Sequence, residues 1–313
     1  MHKIYYWAND TQQNSGEGIL ALHFLDLLKK KFKNYKLVNL NNFRKKNNFV
    51  YNYILLIWGI ILIWKYHSQG HKVCYINYLP IWNILIFLLL PKKTILGPIT
   101  GTITKKNILY KLLCIIGAFI LNRRKKKLLF SHSQLRLYFS NNKKNYFNFL
   151  FYKFKIKANT TKKKFEFVFY FKDNNNKGNY FLIGVLKNLS KKHKIAVIGD
   201  NLSKFIDNEN ITNFGTLNRN QAIKVISSAN FAITSKENHF SFFALDCLSR
   251  GLKVFYNKDL KVYNDIKTNM FIPINFANLN DSIIAIQKEV SKKTKKKNFL
   301  KFELKNFKHY IDN

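Results

Sequence analysis

Short apolar runs alternate with longer segments of helical hydrophobic spacing along the first half of the chain. The run Lys3–Trp7 is typical of a strand, and the helical spacing of Ile19–Lys31 follows it. Strands are predicted again over Tyr35–Leu40 and Lys72–Asn77. This alternation indicates a parallel α/β sheet, because parallel strands need a crossover between them. The other elements predicted here are a helical or mixed segment over Phe49–Lys65, a helix over Pro80–Leu90 that opens on its proline, a strand over Thr94–Leu96, a helix over Lys106–Leu121, a strand over Leu128–Ser131 and a short helix over Gln134–Ser140.

A polar and basic stretch interrupts this pattern near the middle of the chain. The loop Asn141–Tyr146 and the lysine-rich residues up to Lys164 predict a boundary between a domain over residues 1–155 and another over residues 156–313. The alternation then restarts, which predicts a second Rossmann-like domain. Its predicted strands are Phe165–Phe171, Lys194–Ile198, Ile211–Phe214, Phe231–Thr234 and Lys253–Tyr256, and its predicted helices are Gly178–Ser190, Asn218–Ser228, one ending at Gly251, Ser282–Lys288 and Phe299–Ile311.

The chain is long enough and apolar enough for two packed domains. It has 313 residues, 47% of them hydrophobic, with 29 Phe and 17 Tyr, which excludes a disordered chain. Its three cysteines, Cys74, Cys114 and Cys247, lie far apart in apolar runs, without the spacing of a zinc site. They are expected to be small buried side chains in a reducing compartment. The sequence therefore predicts neither a metal site nor a cofactor.

The charge balance is strongly basic. Lys and Arg number 54 against 16 Asp and Glu, for a formal net charge of +38. Such a balance favours an anionic partner, which can be nucleic acid, an anionic lipid surface or a phosphorylated substrate. The alternative is drift in an AT-rich genome, since all but six of these cations are lysines. Specific DNA contacts favour the bidentate guanidinium, so the scarcity of arginine argues against a specific nucleic-acid partner.

Three apolar segments bear on the membrane. Tyr53–Trp64, Tyr78–Leu90 and Ile108–Leu121 are each shorter than the roughly 17 to 25 residues that cross a bilayer. They are interpreted as helices that are either buried in the core or face a membrane. The chain opens on a strand-like run, so no signal peptide is expected. The sequence thus predicts a cytoplasmic protein and leaves peripheral contact with the inner membrane face open.

The stretch Ser235–Gly251 combines a polar loop, a helix and a glycine stop. Glu237 lies in the loop before the helix, which is predicted to begin near Phe240-Ser241, and Asp246 lies about a turn and a half inside it. A helix N-terminus binds anions, and a nearby carboxylate accepts hydrogen bonds from sugar hydroxyls. A nucleotide sugar presents both groups. The alternative is an ordinary αβ unit with a solvated Glu237 and a capping Asp246.

This stretch resembles the donor-site motif of the retaining, glycogen-synthase-like superfamily of GT-B glycosyltransferases, which includes the family 4-like bacterial enzymes. The pattern there is Glu, seven residues, Glu, then Ala-x-x-x-Gly-x-Pro-Val. Phe240–Asp246 is similar to its second half, with Asp246 at the second Glu. Asn238 holds the strict position of the first Glu and Glu237 lies one residue further away. Lys253-Val254 replaces Pro-Val.

Other loops resemble the same superfamily. Asn14–Gly18 is similar to its glycine loop, which faces the donor phosphates, and Asn213–Leu217 is similar to its Phe-x-Gly segment beside the nucleotide base. Each is alternatively a tight turn at a strand end. Lys172 and Lys177 stand where the superfamily often has Arg, four residues, then Lys-Gly. Two cations there would neutralise a diphosphate and stabilise the leaving nucleotide, although lysines at this spacing also arise by chance in a lysine-rich chain.

The resemblance implies a GT-B fold, an α/β architecture of two Rossmann-like domains with a cleft between them. It implies a retaining, metal-independent hexosyltransferase, with the nucleotide-sugar donor bound by the second domain and the acceptor by the first. Asp246 would hold the ribose hydroxyls, and Glu237, as catalytic residue, would meet the donor sugar. The diphosphate would lie against Lys172, Lys177 and the amides near Ser241. The donor-binding residues implied are Gly16, Glu17, Gly18, Lys172, Lys177, Gly215, Leu217, Asn238, Phe240, Ser241 and Asp246.

Charge and exposed aromatic residues suit an acceptor that is a glycan or is lipid-linked, as in cell-surface polysaccharide or lipopolysaccharide synthesis at an anionic membrane. Three alternatives stay open. A GT-B nucleotide-sugar 2-epimerase would convert the donor without an acceptor. A non-catalytic protein that binds nucleic acid or anionic lipid would explain the charge alone. An inactive transferase would explain the aspartate at Asp246 and the shifted Glu237.

Overall fold

Two compact units make up the chain. The first comprises residues 1–151 with 303–313, and the second comprises residues 152–302. The computed structural model of the protein describes residues 2–8, 10–13, 15–40, 49–76, 79–101, 107–125, 127–131, 133–139, 144–147, 162–173, 179–236, 241–259, 270–292 and 310–311.

Parallel strands form the framework of the first unit. Its elements are β1 (His2–Trp7), α1 (Gly16–Lys31), β2 (Tyr35–Asn39), α2 (Phe49–Ser68), β3 (Lys72–Tyr75), β4 (Leu79–Pro80), α3 (Ile84–Leu89), β5 (Ile95–Leu96), β6 (Ile99–Thr100), α4 (Ile108–Arg124), β7 (Lys127–Phe130), a 3-10 helix (Ser133–Tyr138) and β8 (Lys144–Phe147). The strands pair in the orders β2-β1-β3-β5 and β4-β6-β7-β8, and every pairing is parallel.

Alternation along β1 decides which helix covers which face of its sheet. Ile4 lies in an apolar cluster with buried residues of α1, whereas Tyr5 stacks on Tyr66 of α2 with ring centroids 3.8 Å apart. Trp7 lies under Gly59 of α2, where a Cβ atom would come within 2.6 Å of the indole. Successive side chains of a strand point to opposite faces, so α1 and α2 cover opposite faces of the sheet.

Two predicted elements of the first unit differ from the observed ones. The helix predicted over Pro80–Leu90 is a strand, a turn and the shorter α3. The N–H groups of Leu79 and Ile81 donate to carbonyls beside and within β6 at 2.9 and 2.8 Å, so sheet pairing occupies this backbone before the helix begins. The loop predicted over Asn141–Tyr146 contains most of β8, which pairs with β7. In both cases pairing with a strand elsewhere in the chain overrides the local sequence pattern.

A six-stranded parallel sheet forms the framework of the second unit. Its elements are β9 (Phe165–Phe171), α5 (Asn179–Leu189), β10 (Ile195–Gly199), β11 (Ile211–Asn213), α6 (Arg219–Ser227), β12 (Ala229–Ile233), α7 (Phe242–Ser249), β13 (Lys253–Asn257), β14 (Phe271–Ile274) and α8 (Leu279–Val290). The strand order is β11-β10-β9-β12-β13-β14. The edge strand β14 was not predicted from the sequence.

The core of the second unit follows from the central position of β9. Phe167, Val168 and Phe169 are successive residues and each is at most 1% exposed. A strand covered on both faces reads as a continuous apolar run. Phe167 and Phe169 share a cluster with buried residues of α5 and α8. The core therefore fixes the central strands, and the candidate site lies at the edge where these strands end.

The end of the chain belongs to the first unit. Tyr310 and Ile311 are buried in the cluster that contains Ile4, and the Tyr310 hydroxyl donates to the carbonyl of Leu96 at 2.8 Å. The division predicted at residues 155–156 did not include this return. The rest of the helix predicted over Phe299–Ile311 lies outside the described residues.

None of the helices that the structure describes has the combination of length and apolarity that a bilayer span requires.

Candidate functional site

The central strands of the second unit end together at one edge of the sheet, the edge at which parallel α/β sheets bind ligands. β9, β10, β11 and β12 are neighbours there, and α6 and α7 follow β11 and β12. The residues predicted to bind the donor that are described in this unit lie on the loops and helices that follow these strands. They are Lys172, Gly215, Leu217, Ser241 and Asp246.

The backbone is closely packed where β9, β10 and β11 end. The N–H of Gly199 donates to the carbonyl of Gly215, and that of Asp200 to the carbonyl of Phe171, both at 2.9 Å. Gly199 has a φ of 115°, and a Cβ atom there would lie 2.0 Å from the Phe171 oxygen. Gly215 has a φ of 66°, and no atom of the described residues comes within 4 Å of its missing Cβ. Open space beside the Gly215 backbone is what the predicted base site requires.

Ser241 is the N-cap of α7, so the helix begins close to the start predicted near Phe240-Ser241. Its Oγ accepts a hydrogen bond from the Ala244 N–H at 3.2 Å. The first N–H groups of a helix lack intrahelical partners, and together with the helix dipole they favour an anion. The ring of Phe243 lies 6.0 Å from that of Tyr170 on β9, measured between centroids. The start of α7 is therefore held against the central strand, at the sheet edge predicted for the diphosphate.

Asp246 is 5% exposed and pairs with Arg219 of α6. Arg219 Nη2 lies 2.9 Å from Oδ1 and Nε lies 3.2 Å from Oδ2, which is a bidentate contact. Burial raises the pKa of the Asp246 carboxyl to about 7, and the Arg250 guanidinium opposes that rise. The bidentate geometry of Arg219 further favours the carboxylate. A carboxylate has about four lone-pair sites, and the two bonds from Arg219 use two of them.

Arg219 was missed by the sequence analysis. It is the first residue of α6, after the N-cap Asn218, whose side chain forms a capping box with Gln221. A cation in the first turn of a helix opposes the helix dipole, so an arginine there indicates a specific anionic partner. That signal was present in the sequence, although only the packing of α6 against α7 identifies the partner as Asp246.

The loop after β9 carries charges of both signs. Lys172 is exposed directly after the strand. The next residue, Asp173, donates its N–H to Asp200 Oδ2 at 2.9 Å and accepts from the Asn179 amide at 3.3 Å. The carboxylates of Asp173 and Asp200 therefore fix this loop, and Lys172 stands beside them at the predicted diphosphate site.

Polar groups within the glycine loop of the first unit form hydrogen bonds with one another. Ser15 Oγ accepts from the Gly18 N–H at 2.8 Å and donates to Asp10. A Cβ atom on Gly18 would lie 1.9 Å from the Gln12 oxygen, so close backbone approach requires glycine there. At Gly16, by contrast, nothing in the described part of the chain lies within 4 Å of the missing Cβ. Desolvation and the Asp10 carboxylate raise the pKa of Glu17. Because Asp10 and Glu17 place negative charge in this turn, it attracts an anion less than a helix start without acidic residues does.

Four predicted site residues, Lys177, Glu237, Asn238 and Phe240, lie outside the residues that the structure describes. The proposed catalytic position at Glu237 therefore rests on the sequence motif. Within the described ranges, no group of three or more His, Cys, Asp or Glu side chains is arranged to hold a metal ion.

Comparisons by sequence and by structure give different results. No family model matches the chain, and no curated protein sequence matches it. Among solved structures, the chain is similar to sucrose-phosphate synthase from Thermosynechococcus elongatus, with a TM-score of 0.63 and 10% identity over 99% of this chain and 94% of the other.

Two further structures are similar over nearly the whole chain. One is the lipopolysaccharide outer core galactosyltransferase WaaB, with a TM-score of 0.56 and 11% identity over 99% of this chain and 94% of that one. The other is the UDP-GlcNAc 2-epimerase of Methanocaldococcus jannaschii, with a TM-score of 0.56 and 11% identity over 97% of both chains. At this identity the likeness shows the fold alone. The protein has the GT-B fold, with two Rossmann-like α/β domains.

Proposed function

We propose that the protein is a glycosyltransferase that takes its sugar from a nucleotide-sugar donor bound at the carboxyl edge of the second unit's sheet. The observation that carries this proposal is the grouping of three features at that edge. They are the capped start of α7, the Asp246 carboxylate held by Arg219, and the open backbone at Gly215. Anion, hydroxyl and base recognition are the three requirements of a nucleoside diphosphate.

The donor is bound as follows in this proposal. The diphosphate lies at the first turn of α7 with Lys172 and Lys177 beside it, and the ribose hydroxyls donate to Asp246. During transfer, the bond from the sugar C1 to the diphosphate oxygen breaks and its electron pair leaves with the nucleotide. The acceptor oxygen bonds to C1 and its proton passes to the departing phosphate. Fixed positive charge stabilises the leaving group without a metal, and Glu237 contacts the sugar.

Arg219 has a positioning role in this site. Both carboxylate oxygens of Asp246 receive a guanidinium hydrogen bond, which fixes the plane of the carboxylate and favours its ionised form against the effect of burial. In this proposal the ribose hydroxyls then donate to a carboxylate whose orientation is fixed. Without Arg219, the burial of Asp246, which is 5% exposed, would raise the pKa of its carboxyl further. A protonated carboxyl accepts fewer hydrogen bonds than a carboxylate.

A second candidate function is supported by one of the similar structures. The M. jannaschii protein is a UDP-GlcNAc 2-epimerase, and the likeness covers 97% of both chains. An epimerase of this fold would bind the same type of donor and convert it without an acceptor. The galactosyltransferase WaaB, which acts on the lipopolysaccharide outer core, favours transfer to a glycan or lipid-linked acceptor.

The first test is thermal stabilisation of the full chain by nucleoside diphosphates and nucleotide sugars. Ligand at about 100 times its Kd stabilises a protein by about 2.7 kcal/mol, which raises Tm by several degrees. We expect a shift with one nucleotide family for the wild type and for Asp26→Asn, an exposed aspartate on α1 that serves as control. The shift should be lost in Asp246→Asn.

The absence of a shift with every nucleotide would contradict the proposal, and an unchanged shift in Asp246→Asn would remove Asp246 from the site. Incubation of the stabilising nucleotide sugar without acceptor then separates the two candidate functions. An epimerase changes the sugar under these conditions, whereas a transferase leaves it intact.

A further inference from the structure

The outer surface of α2 is apolar although it faces away from the sheet. Gly59, Ile60 and Ile63 are buried on the sheet side, whereas Ile57 and Ile61 are more than half exposed. A surface helix of a globular protein normally turns a polar face outward. The exposed residues recur at helical spacing, so they form one stripe along the helix and not scattered positions.

α3 and α4 extend this stripe. Leu85 and Leu88 of α3 and Leu112 and Ile115 of α4 are also 50–67% exposed. α3 packs against α4, and the Trp64 indole N–H of α2 donates to the carbonyl of Leu89 at the end of α3 at 2.5 Å. The three helices are therefore adjacent. Six exposed side chains of these helices form one surface, the apolar face: Ile57, Ile61, Leu85, Leu88, Leu112 and Ile115.

A basic pocket of about 880 Å³ lies where these three helices end. Six of its cationic or titratable lining residues come from the ends of α2 and α4, the loop after α3, and β7: His67, Lys92, Lys93, Arg124, Lys125 and Lys127. No Asp or Glu occurs in the described lining. Such a pocket attracts an anion, and it adjoins the apolar face because the same helices form both.

Part of this positive charge is fixed in place by the fold. Arg124 donates to three carbonyls at the end of α3, and its bond to Leu90 is 2.7 Å long. Lys125 Nζ donates to the carbonyls of Lys92 and Thr94 at 2.5 and 2.6 Å. These bonds attach the loop after α3 to the end of α4, and that loop carries Lys92 and Lys93, which are exposed and line the pocket.

An apolar face beside a cationic pocket matches an anionic phospholipid surface better than a second copy of the chain. Self-association across a two-fold axis would bring two such pockets close together in a protein of net charge +38. A bilayer offers hydrocarbon and phosphate side by side, and the exposed Trp58 and Trp64 are side chains that favour the interface. Each helix has its opposite side packed in the protein, so only the outer half of each contacts lipid.

We propose that the apolar face of α2, α3 and α4 docks the first unit on a bilayer that contains anionic phospholipid, and that the basic pocket takes a lipid headgroup phosphate. This docking does not depend on the proposed sugar transfer. It is measured without nucleotide sugar or acceptor, so its failure and that of the transferase proposal are distinguishable.

The test is co-sedimentation of the full chain with vesicles of phosphatidylcholine alone or mixed with phosphatidylglycerol. The wild type should bind mixed vesicles more tightly than neutral ones. Ile61→Gln with Leu112→Gln should reduce binding to both compositions. Lys92→Gln with Lys93→Gln should reduce binding to mixed vesicles by about tenfold or more, since each lysine near an anionic surface contributes substantially, and should leave binding to neutral vesicles unchanged.

Matched controls come from the second unit. Ile284→Gln replaces an apolar residue that is 64% exposed, and Lys191→Gln with Lys192→Gln replaces an exposed lysine pair. Both should bind as the wild type does, and circular dichroism establishes that every variant is folded. The proposal is overturned if the wild type stays unbound with both vesicles or if the controls lose as much binding as the matched variants. It is also overturned if the Lys92 and Lys93 variant keeps the full wild-type preference for anionic vesicles.

Sedimentation velocity without lipid tests the alternative that a second copy of the chain covers the apolar face. A concentration-dependent dimer of the wild type that Ile61→Gln with Leu112→Gln abolishes, with no vesicle binding, would make this face an interface between copies and overturn the membrane proposal. A monomer at all concentrations, with vesicle binding, supports it.

Discussion

At the residue scale, the ion pair between Arg219 and Asp246 dominates the candidate site. Asp246 is 5% exposed, and Arg219 is the partner that compensates for its desolvation. Breaking a buried pair by removing one partner is strongly destabilising, because the other charge is left uncompensated. The Arg219 side chain is 27% exposed, so water partly screens the pair and reduces the cost.

We expect Arg219→Met to destabilise the second unit by about 1–3 kcal/mol, measured by urea unfolding near pH 8. Burial already raises the folded-state pKa of Asp246 to about 7 in the wild type, and the loss of Arg219 should raise it further. Above pH 7 the folded variant then binds more protons than the folded wild type, so the deficit should shrink as the pH falls to about 7 and stay constant below it. Lys224→Met, an exposed change on the same helix, is the control. Equal stability of Arg219→Met and this control would show that the pair contributes nothing.

At the element scale, α8 is attached to β13 by a nearly buried ion pair. Lys253 Nζ lies 2.5 Å from Glu289 Oε1, and Lys292 Nζ lies 2.7 Å from Glu289 Oε2. Desolvation opposes ionisation of Glu289, but hydrogen bonds from the two lysines outweigh it and lower its pKa. Because α8 also packs in the core of the second unit, this pair fixes the helix against a strand far away in the sequence.

Glu289→Gln should lower the free energy of unfolding of the second unit by about 1–3 kcal/mol at pH 7, because Lys253 stays buried without its counter-charge. The folded pKa of Glu289 is lowered, so its stabilisation is complete above the ordinary value of 4.5 and is lost as the pH falls through the folded pKa. The wild type and the variant should thus converge in strong acid. Glu209→Gln, at an exposed turn, should follow the wild type throughout. Curves that stay parallel at all pH values would rule out this ion pair as the cause.

At the scale of the whole molecule, the chain ends in the unit where it begins. Tyr310 is 6% exposed, and its hydroxyl donates to the Leu96 carbonyl in the first unit. Its ring fills space in the same cluster as Ile4 and residues of α1. Two units formed from three stretches of chain cannot be separated by a single cut at the middle boundary.

We expect Tyr310→Ala to destabilise the first unit by about 3–5 kcal/mol through the cavity it leaves, and Tyr310→Phe by about 1 kcal/mol through the lost hydrogen bond. Tyr180→Ala, at a residue of α5 that is 83% exposed, is the control. Differential scanning calorimetry should show a lower Tm for the first unit alone, and nucleotide-dependent stabilisation should persist. A Tyr310→Ala protein with wild-type Tm would place residue 310 outside the core.

The sequence by itself determined the α/β class, the alternation of strands and helices, and the positions of Ser241 and Asp246 at α7. These features are encoded locally, because hydrophobic period, caps and glycine stops depend on residues a few positions apart. The GT-B fold expected from the resemblance is confirmed. Glu237 and the diphosphate roles of Lys172 and Lys177 stay predictions that rest on motif spacing.

Only the tertiary structure decided the features that depend on distant contacts. Pairing with β6 and β7 made strands of Leu79–Pro80 and Lys144–Phe147, where the local pattern favoured a helix and a loop. The partner of Asp246 is Arg219, 27 positions earlier in the chain, and the partner of Tyr310 is Leu96. Hydrophobic periodicity shows that the apolar side chains of a helix share one face. Only the tertiary structure shows whether an apolar stripe such as that of α2 is covered. On α2, α3 and α4 it left such stripes exposed beside a basic pocket.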